Sequence, residues 1–456
     1  MRKATKRILL CSTIVLAMLA VAYCVLRFGY SMDVLDRSGW KTEDGAVRYL
    51  DYWGRPQTGW KLIEEDYYFF AEEDGKMVTG WYSVAGVRYY FNEDGTRASG
   101  WLEDGGNRYY LSEEGIPTVG WTKIADDTYY FAPDGAMAEG WVQLNGNNYY
   151  FMPDSGTMHV GWLELDDARY YCSTDGSTVS GWVELDGIRY QFREDGSVVT
   201  GWFEDDTRYF FGDDGKPQSG WLEWEQKTYY LNEDGSVTTG WLEQEDARYY
   251  FLSTGRMAIG EVEVDGVSRF FSSSGKETLM CNPWHPIPED FELDLVTLNG
   301  KKVDRDTKEP LEQMIQAARK DGVKIGINNI YRSHATQTSL WNTRVKQYME
   351  DGMTKAQAEA KTGESVAIPG HSEHETGLAL DVNSGTKVYK WLGENCWDYG
   401  FILRYPDDRI DITGIIYEPW HFRYVGTELS LELRELGLCM EEYFDMLTEQ
   451  QKNIPD

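Results

Sequence analysis

The chain has 456 residues, with 76 Asp and Glu against 44 Lys and Arg and a formal net charge of −32. That length admits two or three domains. The acidic balance excludes the basic stripe that a nucleic-acid surface needs, so no nucleic-acid partner is expected. About 45 acids against about 19 bases fall within residues 31–275, so most of the imbalance sits in one region, where it keeps a long exposed array soluble.

At the N-terminus, Arg2, Lys3, Lys6 and Arg7 precede nineteen uncharged residues, Ile8 to Leu26. Such a run is long enough to cross a bilayer as a helix. The basic flank keeps the N-terminus inside and sends the rest of the chain outside. Residues 1–30 are therefore expected to form a cytoplasmic flank and a transmembrane anchor. A cleaved signal is the competing reading, with Ala20-Val21-Ala22 as its small-residue site. Both readings place the protein on the extracellular face of the cell membrane or in the cell wall. The six cysteines, Cys11, Cys24, Cys172, Cys281, Cys396 and Cys439, form no Cys-x-x-Cys pair, so neither a zinc knuckle nor a redox motif is read. A bridge among Cys281, Cys396 and Cys439 stays open.

Residues 31–275 repeat. A Gly-Trp marker recurs every 19 to 21 residues, at Trp40, Trp60, Trp81, Trp101, Trp121, Trp141, Trp162, Trp182, Trp202, Trp221 and Trp241. Most units then carry an aromatic run such as Tyr89-Tyr90-Phe91, followed by a turn such as Asp94-Gly95. A fixed period of this size signals a solenoid. Short aromatic runs joined by Asp-Gly or Asn-Gly turns predict β-hairpins. A single hairpin cannot bury its aromatic face, so neighbours stack into an all-β solenoid. The last unit has Gly260-Glu261 in place of Gly-Trp, which fits a capping repeat. The aromatics serve either as ligand platforms or as solenoid core, in which case the array is a spacer.

Residues 276–450 change character. Leu311, Met314, Ile315 and Ala318 have helical spacing within Glu309 to Lys320. Val323 to Ile330 predicts a strand delivering Arg332, and helices are expected over Gln337 to Met349 and Thr354 to Lys361. Leu378 to Val382 and Trp420 to Val425 predict short strands. In the second, alternation puts His421 and Arg423 on one face and Trp420, Phe422 and Tyr424 on the other. Trp391 to Gly400 is expected to pack behind the site, and a Leu- and Glu-rich helix after Glu428 closes the domain. Helices on a small antiparallel sheet make this an α+β domain.

Two segments of this region carry chemistry. Pro369-Gly370-His371-Ser372-Glu373-His374-Glu375-Thr376-Gly377-Leu378-Ala379-Leu380-Asp381 is answered about forty residues later by Glu418-Pro419-Trp420-His421. Three of the six histidines fall here. Two imidazoles, a carboxylate able to ligate and a second carboxylate three residues before the last His are the parts of a catalytic zinc site. Such a site has three protein ligands, a fourth position left for water, and an acid that takes the water's proton.

The phrases around these residues resemble those of the VanY-type D-alanyl-D-alanine carboxypeptidases, zinc enzymes that trim peptidoglycan stem peptides. The likeness runs from Cys281 to about Leu447. It includes Asn282-Pro283-Trp284-His285-Pro286-Ile287-Pro288, then Tyr331-Arg332-Ser333 with Gln337. It continues through Ser372-Glu373-His374 with Gly377, Ala379 and Asp381, and through Tyr399 to Pro406, to Glu418-Pro419-Trp420-His421. The resemblance implies that His374, Asp381 and His421 bind Zn2+ and that Glu418 is the general base. It also implies that Arg332 meets a substrate carbonyl or carboxylate, and that Ser333, Gln337 and Ser372 line the substrate. His371 is read as supporting or exposed, and His285 and His334 as structural. The implied function is removal of the terminal D-Ala from stem peptides. An endopeptidase or dipeptidase of the same zinc fold is an alternative, as is a surface binding protein or adhesin with a vestigial enzyme domain.

The array resembles cell-wall-binding repeats of the choline-binding and glucan-binding type. In those repeats a second Trp precedes the Tyr pair, whereas here that position holds Arg88, Arg108, Thr128, Asn148, Arg169, Arg189, Arg208, Thr228 or Arg248. The partner implied is a cell-wall glycan or a choline-bearing polymer.

Overall fold

The computed structural model describes Met18 and residues 37–166, 168–245, 247–383 and 385–454. Met18 apart, the expected membrane segment, with Cys11 and Cys24, lies outside the described residues. Among the described residues no helix is long and apolar enough to cross a membrane. The chain forms two compact units, Met1–Val183 with Gln191–Val198, and Glu184–Tyr190 with Val199–Asp456. The division falls inside the repeats.

The array consists of two-stranded antiparallel hairpins with strands of four or five residues. Gly80–Val84 pairs with Val87–Phe91 in the register Trp81↔Tyr90. The turns that close the hairpins include the expected Asp-Gly and Asn-Gly pairs, such as Asp186-Gly187 with φ of 52° and 78° and Asn145-Gly146 with 54° and 88°, and also Ala85-Gly86 with 50° and 83°. Two central residues with positive φ make the turn whose twist matches a hairpin. Further Asp-Gly turns follow the second strand. There the aspartate side chain accepts a backbone N–H two residues on, as Asp94 does from Thr96 at 2.9 Å and Asp234 from Ser236 at 2.9 Å.

Each hairpin ends on an apolar residue placed opposite the marker glycine, as in Gly80↔Phe91 and Gly240↔Phe251. Leu50 of the first hairpin apart, these residues are buried. Neighbouring hairpins also exchange backbone hydrogen bonds, such as Arg97 N to Tyr67 O at 2.7 Å and Met257 N to Thr228 O at 2.8 Å. Marker Trp residues typically meet the aromatic residue opposite them and one of the following unit. Trp81 lies 5.1 Å from Tyr90 and 4.9 Å from Tyr109, both edge-on.

The C-terminal region is α+β. Its antiparallel sheet runs in the order Ile327–Asn329, Ala379–Val382, His421–Tyr424, Phe401–Leu403. The helices Arg305–Lys320 and Thr386–Asn395 pack on it through Leu311, Met314, Ala318, Trp391 and Leu392, against Leu380 and Phe422. Trp391 to Gly400 therefore lies behind the sheet, as expected. The first helix starts four residues early because Asp304 caps it, accepting from Asp306 N and Thr307 N. Ser333 and Thr354 likewise cap His334–Glu350 and Lys355–Gly363.

The strand expected over Val323 to Ile330 pairs only at Ile327–Asn329, because its four-residue partner offers no longer edge. Val323, Ile325 and Ile330 are buried all the same. The hairpin Leu295–Leu298 with Lys301–Asp304 was not legible. The closing helix is two helices, Thr427–Leu436 and Met440–Asn453, the first ended by Gly437 at φ 68°. Cys172, Cys281, Cys396 and Cys439 are free thiols.

The last helix is packed on the last repeat. Phe270, Met280, Leu433, Met440, Tyr443, Phe444 and Leu447 share one buried cluster. Phe270 meets Phe444 at 5.3 Å, edge-on. Arg256 donates to Ile454 O at 2.8 Å, and the Glu261 backbone N–H donates to the Thr448 hydroxyl at 2.7 Å.

Candidate active site

Adjacent strands bring the site together. In the register of the sheet Asp381 stands opposite His421, and on its other side opposite Asn329. His374 sits in the short helical turn Glu373–Glu375 just before the Asp381 strand. One ligand atom from each of His374, Asp381 and His421 lies within 4.8 Å of the others. His374 Nε2 is 3.3 Å from Asp381 Oδ2, and His421 Nδ1 is 3.6 Å from Asp381 Oδ1. Glu418 Oε2 is 3.4 Å from His421 Nδ1.

The far side of each ring sets its tautomer. His374 Nδ1 is 2.7 Å from Ile330 O, and a carbonyl only accepts, so Nδ1 carries the proton and Nε2 keeps a free lone pair. His421 Nε2 is 3.2 Å from Glu373 Oε2, so that nitrogen donates and Nδ1 keeps its lone pair. Both lone pairs are on the Asp381 side. Two imidazole nitrogens and a carboxylate oxygen match the donor set of a catalytic zinc site, with the back of each ring fixed by a hydrogen bond.

Behind His421 lies a buried ionic network that the sequence reading missed. Arg404 Nε donates to Glu373 Oε1 at 2.7 Å, and Arg423 Nη1 lies 3.2 Å from the same oxygen. Arg404 also forks to Glu441 at 2.6 and 2.9 Å. Glu373, Arg404 and Arg423 are almost wholly buried. Charged residues placed in a short strand and beside a known motif were the available signal. Alternation did put Arg423 on the His421 face, but nothing in the sequence paired it with Glu373.

The electrostatics follow from this packing. Burial would raise the Glu373 carboxyl, but Arg404 and Arg423 outweigh it and hold the group far below the usual range. Burial would lower His421, but its bonds to Glu373 and Glu418 outweigh that and lift it to about 9. Burial depresses His374. Asp381 is raised by burial, yet its bond to His374 and the charges of His374, His421 and Arg332 leave it below its ordinary value.

The remaining expected residues surround the cluster in different ways. The backbone N–H of Arg332 donates to His374 O at 2.8 Å, and its Nη1 donates to Gln337 Oε1 at 2.7 Å. Burial lowers the Arg332 guanidinium pKa, while Asp381, Glu418 and Glu375 pull it back up. Gln337 is fully buried and its amide donates to Ala367 O at 2.6 Å, so both ends of its side chain are engaged. The Ser333 hydroxyl faces its own helix, accepting from Thr336 N at 3.3 Å. Ser372 is buried at the start of the turn and makes no side-chain cap. His371 Nδ1 bonds Asn282 O at 2.8 Å, His334 Nδ1 meets Glu375 at 2.7 Å, and His285 Nδ1 meets Asn282 Oδ1 at 3.0 Å.

A buried His–Asp–His cluster beside a glutamate, on a small antiparallel sheet, is the build of a metallohydrolase domain. Residues 300–427 match the family model for VanY, D-alanyl-D-alanine carboxypeptidase. Residues 78–115 and 118–161 match a choline-binding repeat, and 219–237 and 239–257 a putative cell wall binding repeat. The chain thus carries a VanY-family domain together with choline-binding-type and cell-wall-binding repeats. It is 41% identical over 174 residues to a D-alanyl-D-alanine carboxypeptidase of Enterococcus faecalis (strain ATCC 700802 / V583), covering 37% of this chain and 65% of that protein. A solved structure of VanYB in complex with D-alanine-D-alanine is 41% identical, with 37% of this chain and 96% of that chain covered and a TM-score of 0.35. The structure of CbpJ from Streptococcus pneumoniae TIGR4 is 25% identical, with 52% of this chain and 100% of that chain covered and a TM-score of 0.40. The matched stretches span 45% to 65% of the curated relatives' own length.

Proposed function

We propose that residues 276–450 are a zinc-dependent D-alanyl-D-alanine carboxypeptidase that removes the terminal D-Ala from peptidoglycan stem peptides. The observation that carries this reading is the convergence of His374, Asp381 and His421 within 4.8 Å, with Glu418 3.4 Å from His421. His374 Nε2, Asp381 and His421 Nδ1 hold the metal. When bound, zinc supplies a Lewis acid and acidifies water. Glu418 takes the proton of the attacking water and returns it to the leaving amine. Arg332 has one arm pinned by Gln337. Its other arm is directed to the substrate's terminal carboxylate or to the oxygen that gains charge. Gln337 then acts by holding Arg332, Ser333 by capping the helix that carries Gln337, and Ser372 by shaping the turn under His374.

Residues 31–275 hold the enzyme at the cell wall through a glycan or a choline-bearing polymer, a reading supported by the two repeat families matched there. Residues 1–30 anchor it in the membrane, with the rest of the chain on the extracellular face. The apolar run of nineteen residues behind a basic flank supports the anchor. The test is digestion of defined muropeptides by the purified protein, with products read by mass spectrometry. Loss of a single D-Ala from a pentapeptide stem is expected. Release of a D-Ala-D-Ala dipeptide, or opening of cross-links, would move the reading to a dipeptidase or an endopeptidase.

A further inference from the structure

We infer that the array contains two kinds of aromatic site, and that the uncapped ones at Trp121 and Trp141 take an uncharged sugar ring of the wall glycan and not an organic cation. The inference rests on the reading that the array holds the wall, and it names the ligand class and the units that bind it.

Several marker tryptophans are already occupied by the chain itself. Arg88, Arg169, Arg208 and Arg248 place their guanidinium groups over Trp81, Trp162, Trp202 and Trp241, 3.7, 4.3, 4.1 and 4.1 Å from the ring centroid. In three of these units a cross-strand glutamate completes the arrangement: Glu164 to Arg169 at 3.2 Å, Glu204 to Arg208 at 3.4 Å and Glu243 to Arg248 at 3.6 Å. Trp60 differs in having Tyr67 beside it, and there Arg97 lies 4.6 Å from Tyr67 and 5.9 Å from Trp60. A cation over an indole face is attracted by the ring's quadrupole. These units satisfy that attraction with a tethered guanidinium, which a free organic cation would have to displace.

At Trp121 and Trp141 both members of the ion pair are gone. Thr128 stands where other units have Arg, and Asn148 does so in the next unit. Their cross-strand partners are Lys123 and Gln143, not glutamate. Trp121, Lys123, Thr128 and Tyr130 share one face of their hairpin, since alternate residues of a strand point the same way. The indoles are 45% and 42% exposed, whereas the capped ones are half-buried. Each is braced edge-on by two tyrosines, Trp121 by Tyr130 at 5.3 Å and Tyr149 at 4.9 Å, and Trp141 by Tyr150 at 5.1 Å and Tyr170 at 4.9 Å.

A quaternary ammonium would find no carboxylate at that register position, and in one unit would find a lysine. A sugar ring would gain an open indole for its C–H face, with a hydroxyl or amide beside it for its own hydroxyls. Two such platforms in successive units let one glycan strand engage both and gain avidity. Trp101, Trp221 and Trp40 are also exposed, but the first two keep Glu103 and Glu223 and at Trp40 the matching pair is Thr42 opposite Val47, so they stand outside the inference.

The test titrates the full chain with chitotetraose and, separately, with choline chloride, reading tryptophan emission and heat. The sugar is expected to titrate the protein, and choline at equal concentration is not. Trp121→Ala with Trp141→Ala should weaken sugar binding at least about tenfold, as expected when a stacking platform is removed. Thr128→Arg with Asn148→Arg should do the same. That second variant copies the capped units, so its thermal unfolding should match wild type even where the alanine variant folds poorly. Saturation by choline without response to sugar, or sugar binding that survives the arginine variant, overturns the inference. Sedimentation with purified cell walls separates the two levels. If the wild type does not sediment, the wall-holding reading fails. If it sediments but chitotetraose neither binds nor competes, only the present inference fails.

Discussion

The imidazole of His421 is held from behind by Glu373, Nε2 to Oε2 at 3.2 Å, and Glu373 is itself fixed by Arg404 at 2.7 Å and Arg423 at 3.2 Å. The motif glutamate is therefore a support for the ring that a metal would bind, with its own charge neutralised by two guanidinium groups. Glu373→Gln keeps the shape and removes the charge. Outer partners of metal-ligating histidines are typically worth about 10–100-fold in metal affinity or activity. Zinc affinity, measured by competition with a chelator, should fall by that order. Unchanged affinity would leave Glu373 a purely structural residue.

The metal donors and the base should separate cleanly. Alanine at His374, Asp381 or His421 should remove bound zinc and turnover together. Glu418→Ala should retain zinc and lose about 10²–10⁴-fold in turnover, the usual range for a positioned acid–base group. Full zinc content in all three ligand variants would reject the ligand set, and near-normal turnover of Glu418→Ala would put the base elsewhere.

Arg332 is the group placed to tell a free carboxylate from an amide. A charge-assisted fork is roughly twice as strong as a neutral hydrogen bond. A peptide ending in D-Ala-D-Ala should be cleaved well and its C-terminal amide poorly. Arg332→Lys keeps charge but not the planar fork, so it should lose most of that preference. Gln337→Ala, which unpins the guanidinium, should raise KM more than it lowers kcat. Equal cleavage of acid and amide by wild type would argue for the endopeptidase reading.

Acid should attack the Arg404 network. Burial raises the Glu441 carboxyl, but Arg404 outweighs it and the folded pKa lies below the ordinary value. A depressed carboxyl contributes stability that is fully present above its unfolded pKa of about 4.3. That stability is lost as pH falls further, through the folded value. Wild type should be more stable than Glu441→Gln at pH 7, and the gap should narrow below about pH 4. A gap that stays constant from pH 7 to about pH 3 in denaturant unfolding would contradict this.

The last repeat should matter to the enzyme's stability. Phe270 is buried against Phe444, and truncating a buried phenylalanine typically costs about 3–5 kcal/mol. Phe270→Ala should lower the midpoint of the unfolding transition that carries catalytic activity. The same variant made at an exposed array position such as Trp53 should leave that transition unchanged. Equal effects at both positions would mean that Phe270 is not part of the enzyme's core.

The legible parts of this molecule were those whose meaning is local. The period of Gly-Trp reads directly as stacked hairpins, and the ligand phrases sit on strands that turn out to be neighbours, Asp381 opposite His421. What was hidden depends on partners far apart in the chain. Glu373 and Arg404 are 31 residues apart, and Arg404 and Glu441 37 apart. Burial makes this network costly unless it is complete, and completeness is a three-dimensional property. Some hairpin turns were hidden for a different reason. Ala85 and Glu225 adopt positive φ although their side chains disfavour it, so composition marked the Asp-Gly and Asn-Gly hairpin turns but not these.

Gly260–Val264 and Val267–Phe271 form a repeat by their sequence and a piece of the enzyme by their contacts. Glu261 stands where the marker Trp would be, with its backbone bonded to Thr448 of the last helix. A gene rearrangement that exchanged arrays at the apparent edge of the repeats would sever Phe270 and Arg256 from the helix they support. The seam at which this enzyme can be grafted onto a different array, with its fold intact, therefore lies upstream of Arg256, one full hairpin inside what reads as the binding region.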